Sequence, residues 1–337
     1  MMRLLADYLA DLSETFGRGW NRFWFEASDP FPLAVIRVLT GLVAVYWHAT
    51  LFPDLATFFA ADGWLPVDAV RQVETAAGAY PTFFNSLSYL NGLSGPTELQ
   101  VAHALGLLVL AAFTLGLFTR ITSVLGLVVV LSTIHRAPML TSQFEPVLTF
   151  VMFYLCLGPS GACLSIDRLW AARKSRPGQV ERADACNTPS VAARLCIRLI
   201  QVHLALFYAV LALSKLSAEV WWRGTAFWWL ITRPESRLVD LTPLQKIPQL
   251  INLWTHAEVL FELVFPILIW NRHARPLLLM VAPVFWGLYA LATGQTLFAA
   301  IMLIGNLAFI PGHVLRELSG AAARRRRGVA AEPVTIG

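Results

Sequence analysis

Apolar residues in this chain come in long blocks, separated by short polar or basic stretches. A helix that spans a membrane needs about 20 mainly apolar residues at about 1.5 Å rise each. Blocks that meet or approach this length lie at about residues 32–52, 98–118, 121–134, 145–164, 191–215, 253–270, 276–292 and 296–310. The third is short and is expected to run into its turn or to sit under a thinned interface. The pattern predicts an all-α fold: a polytopic membrane bundle of about eight transmembrane helices over residues 31–312.

The connections carry structure of their own. Residues 53–97 hold two aromatic pieces, LATFFAADGWLP and YPTFFNSLSYL, expected as short interfacial helices. Residues 216–250 form a second large polar connection, with a short helix expected over 224–231. Thr188-Pro189-Ser190 reads as the cap and first turn of the fifth block. Residues 1–30 lack a sustained apolar core, so no cleavable signal peptide is expected. They read as a cytoplasmic amphipathic segment, anchored on the inner leaflet by Trp20, Phe23, Trp24 and Phe25. Residues 313–337 form a basic cytoplasmic tail that includes Arg324 to Arg327.

Composition agrees with the pattern. The chain is 57% hydrophobic and only 14% charged, where a soluble domain carries about a quarter charged residues. The formal charge of +5 is no nucleic-acid signal, because the basic residues sit in short clusters between apolar blocks. Clusters at Arg120, 168–182, 272–275 and 324–327 follow blocks two, four, six and eight. With eight spans and both termini cytoplasmic, every cluster is inside. Loop 216–250 fits least well, since Arg223, Arg233, Arg237 and Lys246 fall outside, partly balanced by Glu219, Glu235 and Asp240. The expected location is a bacterial inner membrane, with the lipid bilayer as the first partner. No internal repeat, phosphate-binding loop, dinucleotide fingerprint or serine elbow is present. Cys156, Cys163, Cys186 and Cys196 form no CxxC pair, so neither a disulfide framework nor a zinc site is indicated; buried small hydrophobes are the expectation.

Polar residues inside apolar blocks carry the candidate chemistry. The stretch LFYAVLALSKLSAEVWWRGTAFWWL places Tyr208, Leu211, Lys215 and Glu219 at helical steps of three and four. Lys215 is either an ammonium that snorkels to the interface or a general base. Burial among Tyr208, Trp221 and Trp222 favours its neutral amine, and Glu219 favours the ammonium. Glu258 and Glu262 stand four apart on one face of the sixth block, and Glu262 reads as a structural hydrogen-bonding group or a functional acid. Arg37 is expected to pair with Asp167 as structural glue at the inner level. His48, His103, His135 and His256 all fall near outer ends, with no spacing within a span that makes a metal site, and interfacial roles are preferred.

These residues resemble a known family. DPFPLAVIRVLTG with Arg37, ADGWLP, LGPSGACLSIDRL, FYAVLALSKLSAEVWWRG and the Glu262–Pro266 pair of ELVFP look like the HTTM membrane domain, which vitamin K-dependent gamma-carboxylase also carries. The likeness covers about residues 30–312 and is most specific at the lysine element, which closes on Gly224 as a structural position. It implies that Lys215 deprotonates reduced vitamin K or another quinol on the extracytoplasmic side, in lyase and oxygenase chemistry, with Glu219 and Glu262 beside it and Tyr208, Trp221 and Trp222 around the quinol. It implies no metal or nucleotide. The family's Asn-His pair is replaced here by Ser142-Gln143-Phe144-Glu145, a span-seven histidine by Phe285-Trp286, and the carboxylase's soluble domain is missing. Two functions follow: a quinol-dependent membrane enzyme, or a non-enzymatic accessory protein for maturation or export of a peptide. An exported peptide or protein would be the substrate or partner.

Overall fold

The computed structural model describes residues 2–76, 88–174, 186–233 and 238–320, with side chains from residue 13 onward. Most of the second aromatic piece of the first connection, the basic loop beyond residue 174, Glu235 and Arg237, and the tail from residue 321 lie outside the described residues. Everything described is helix, turn or loop, with one isolated β-bridge between Ser28 and Ser190.

The helices are α1 (Met2–Phe25), α2 (Phe31–Leu51), α3 (Leu55–Phe59), α4 (Val67–Ala76), α5 (Pro96–Leu115), α6 (Thr119–Arg136), α7 (Phe144–Leu157), α8 (Ile166–Lys174), α9 (Val191–Leu216), α10 (Glu219–Trp222), α11 (Ala226–Ile231), α12 (Pro248–Leu268), α13 (Ala274–Thr293) and α14 (Thr296–Asn306). Each of the eight apolar blocks contains a helix, but α7 and α14 run only 14 and 11 residues. By length and composition, α2, α5, α9, α12 and α13 can each cross a membrane. A sixth span results if Thr296–Phe309 and Gly312–Gly320, bent by 114°, count as one. The apolar residues these helices turn outward, such as Leu108, Val210, Leu260 and Val284, fit a lipid surround.

Helix ends differ from the sequence expectation where tertiary contacts set them. The third block is not short: α6 starts at Thr119 because the Asp167 carboxylate caps it from a distant loop, accepting from Phe118 N (2.8 Å), Thr119 N (2.7 Å) and Thr119 Oγ1 (2.7 Å). The fourth block is shorter than expected. α7 stops at Leu157, and Gly158-Pro159 turns the chain into an irregular loop that packs back under α2. Ser190 caps α9 as expected, accepting from Ala193 N. Pro266 lies inside α12 and Pro283 inside α13.

One core holds the bundle together. Leu33, Ile36, Phe113, Val151, Leu204 and Phe265 are fully buried within it, and α9 packs along α12 as α2 packs along α5. The cysteine expectation is overturned. Cys163 and Cys186 form a disulfide, because the loop after α7 folds back against the start of α9. Only Cys156 and Cys196 sit in helices. Beside the disulfide, Arg316 binds both Asp29 oxygens at 2.7 Å and donates to Cys186 O. Burial alone would raise the Asp29 pKa, but Arg316 and the Phe31 N–H hold it below the usual carboxylate range. That contribution to stability is present at neutral pH and is lost as pH falls through the native value.

Candidate functional site

Lys215 sits in the last turn of α9, and its side chain does not snorkel. Nζ donates to Glu258 Oε1 at 2.5 Å and to Glu262 Oε1 at 2.7 Å. The lysine side chain is 11% exposed, Glu258 0% and Glu262 2%. The geometry follows from helix spacing: Glu258 and Glu262 lie one turn apart on α12, and both face α9 where the two helices pack. Nζ also lies 4.7 Å from the Trp221 ring centroid, a cation–π contact that covers it from α10.

Two carboxylates against one ammonium leave a formal charge of −1 when all are ionised. In a low-dielectric interior that imbalance is costly, so the triad is suited to hold one further proton or to receive a hydrogen-bond donor. Glu258 Oε2 and Glu262 Oε2 are buried with no partner. They are the open acceptors of the site.

Below the triad the wall is aromatic. Tyr208 is fully buried, accepts from Trp286 Nε1 (2.7 Å) and Asn306 Nδ2 (3.1 Å), and stacks on Phe265 at 4.0 Å. Phe261 stacks on Phe285 at 4.3 Å, and Trp254 Nε1 is buried without a partner. Thus Lys215, Glu262, Tyr208 and Trp221 from the sequence reading share one region. Glu258, which the sequence offered only as one of a spaced pair, proves equal to Glu262.

Other expected residues do not join. α9 ends at Leu216, and the chain turns at Ser217-Ala218, so Glu219 swings out of line. It is 73% exposed and bonds Arg223 Nη2, not Lys215. Trp222 is exposed and donates its indole N–H to Leu216 O. Gly224 does hold a structural position: its φ is +71°, and a Cβ there would meet Asn252 and His256.

The expected Arg37–Asp167 pairing holds only at a distance: the carboxylate acts on the guanidinium electrostatically, without a direct ion pair. Arg37 is fully buried, and its fork donates to two carbonyls, Ser160 O (3.1 Å) and Leu164 O (2.5 Å). Asp167 is occupied by the start of α6. Arg37→Lys keeps the charge but loses the planar fork whose two arms reach Ser160 O and Leu164 O separately, so we expect it to lose about 1–3 kcal/mol of stability. Full wild-type melting of Arg37→Lys in detergent would show that charge alone suffices.

Arg136 is a second buried arginine that the sequence reading passed over. It donates to Phe59 O (3.0 Å) and Leu65 O (2.8 Å), which pins the ADGWLP connection to α6. His48 and His103 stack at 5.4 Å, and His103 Nε2 bonds His48 O. Among the described residues, no group of three or more His, Cys, Asp or Glu gathers that could hold a metal. A cleft of about 460 Å³ lies at the other end of the bundle, beside Thr119, Ser160 and Asp167. It belongs to the structural joint there and not to the Lys215 chemistry. Comparison with protein-family models, with curated proteins and with solved structures returns no match.

Proposed function

We propose that this chain is a multi-pass membrane enzyme that moves a hydroxyl proton from a lipid-soluble quinol onto Lys215, assisted by Glu258 and Glu262. The observation that carries the reading is the buried lysine held between two carboxylates, each with an open oxygen. A stability role alone is poorly served by such a triad, since apolar replacements of buried ionic groups are often neutral or better. Intramembrane ionisable residues that face a bundle interior mark functional sites by default.

The resemblance to the HTTM domain and to vitamin K-dependent gamma-carboxylase supplies the substrate class. Open carboxylate oxygens accept from hydroxyl groups, so Glu258 and Glu262 fit the hydroxyls of a quinol. A bound quinol supplies the acidic hydroxyl and the reducing electrons. For Lys215 to act as a base, Nζ first passes its proton to Glu258 or Glu262, and the neutral amine then accepts one from a hydroxyl. The carboxylates thus serve as proton store and as orienting groups. The closed pairing of Nζ favours a second reading, in which the triad is a structural lock and the chain is a non-enzymatic accessory to peptide maturation or export. Oxidation of a reduced naphthoquinone by the protein in liposomes, with dioxygen as the electron acceptor, tests the pair: turnover supports the enzyme, and its absence in folded protein supports the accessory.

The same reading includes eight spans with the basic ends of the helices in the cytoplasm and Lys215 at the outer end. The Cys163–Cys186 bridge then falls on the cytoplasmic side, where disulfides are rare. In a background without native cysteines, Asp62→Cys and Asp240→Cys are expected to react with an impermeant thiol reagent from outside. Arg173→Cys should react only after permeabilisation. External labelling at 173 would reverse the orientation.

A further inference from the structure

The end of the bundle opposite Lys215 carries a second concentration of charge, independent of the triad. Arg194 and Arg198 project from the first turns of α9, and Arg275 from the start of α13. Arg194 Nε and Arg198 Nε both donate to Phe23 O, and Arg194 Nη2 donates to Arg22 O, so they satisfy the last carbonyls of α1. Arg275 donates to Ile269 O and Trp270 O, at the C-terminal end of α12. The Trp270 ring packs on Phe23 at 5.7 Å, and the Arg198 guanidinium lies 4.2 Å over the Phe23 ring. Phe23 and Trp270 therefore join the three guanidinium groups into one patch.

The hydrogen-bond acceptors of this patch are neutral carbonyls and the Gln201 side chain, and they cancel no charge. Among the described residues, the carboxylate in reach is Glu26, 3.5 Å from Arg194 and 3.7 Å from Arg22. Four guanidinium groups face one carboxylate, which leaves three positive charges uncompensated. The Trp24 ring packs edge-on against Phe23 at 5.0 Å, which adds a second indole to the aromatic side of the patch. A ligand that satisfies this set is a compact anion with several acceptor oxygens.

We propose that Arg22, Arg194, Arg198 and Arg275 bind the phosphodiester headgroup of an anionic phospholipid. The surroundings select a lipid over a soluble phosphate. Ile267, on the last turn of α12 that Arg275 closes, is 68% exposed and offers an apolar surface for an acyl chain. Basic pockets between transmembrane helices beside interfacial aromatics are suited to such headgroups. The lipid would fasten α1 to α9 and α13.

The test uses the full chain, purified and passed into mixed phosphatidylglycerol and phosphatidylcholine nanodiscs, with retained lipid read by native mass spectrometry. Wild type is expected to retain phosphatidylglycerol in preference, and the preference should fall as salt is raised. Arg194→Gln and Arg275→Gln should each reduce it about fivefold, and Arg275→Lys should keep most of it. Melting in phosphatidylcholine alone checks that the variants fold; if they do not, the wild-type preference and its salt dependence decide. Equal retention of the two lipids, or a preference unchanged in both folded Gln variants, overturns the proposal. Stabilisation by inorganic phosphate equal to that by phosphatidylglycerol overturns the lipid assignment.

Discussion

Lys215→Arg is expected to abolish quinol oxidation while the protein still expresses and melts near wild type. Arginine keeps the positive charge and can pair with both Glu258 and Glu262, so a purely structural lysine would tolerate the change. Its guanidinium stays protonated at any working pH and cannot receive a proton. Loss of a positioned base lowers turnover by about 10²–10⁴-fold. Glu258→Gln and Glu262→Gln should each reduce the rate as well, because each removes a carboxylate that takes the proton from Nζ. Glu219→Gln serves as the control: Glu219 bonds Arg223 at the surface, so its rate should match wild type. Initial rates with a reduced naphthoquinone in liposomes decide the matter, and full turnover by Lys215→Arg would sink the base role.

Lys215→Met should be the most damaging single change to stability, at about 3–5 kcal/mol, because it strands two carboxylates side by side in the interior. The combined change Lys215→Met, Glu258→Leu and Glu262→Leu removes all three charges and should melt near wild type or above it, since no buried charge is left uncompensated. Thermal unfolding in one detergent measures both. A Lys215→Met protein as stable as wild type would mean that the ammonium contributes nothing to holding the two carboxylates.

Much of the architecture was legible because a bilayer requires long apolar helices, and five or six of the eight apolar blocks contain one long enough to span. What the pattern could not show was which contact ends a helix. α6 gains its first turn from Asp167, 48 residues away from Thr119, and α7 loses its last residues to Gly158-Pro159. The Lys215 region was legible in part, since a lysine at a helix end and two glutamates one turn apart are both visible in the chain. Their meeting depends on how α9 and α12 are rotated against each other, which spacing leaves open. Glu219 misled because helical periodicity was extended past a turn at Ser217-Ala218. Arg37 misled for a different reason: its partners are backbone carbonyls, and every residue has one. The Cys163–Cys186 bridge left no spacing signature, because a loop rather than an element brings the thiols together.

Pro266 has a mechanical consequence for α12. A proline has no N–H, so the carbonyl four residues back, that of Glu262, loses its place in the helical ladder. The turn that carries the deeper carboxylate is thus the most compliant one in the helix, and helices bend at such turns. Glu258 and Glu262 both ride on the arm above it, while Lys215 is carried by α9. Flexure at this single turn would lengthen or shorten both lysine–carboxylate contacts in one stroke, so the stiffness of one helix sets the strength of the electrostatics at its neighbour's end.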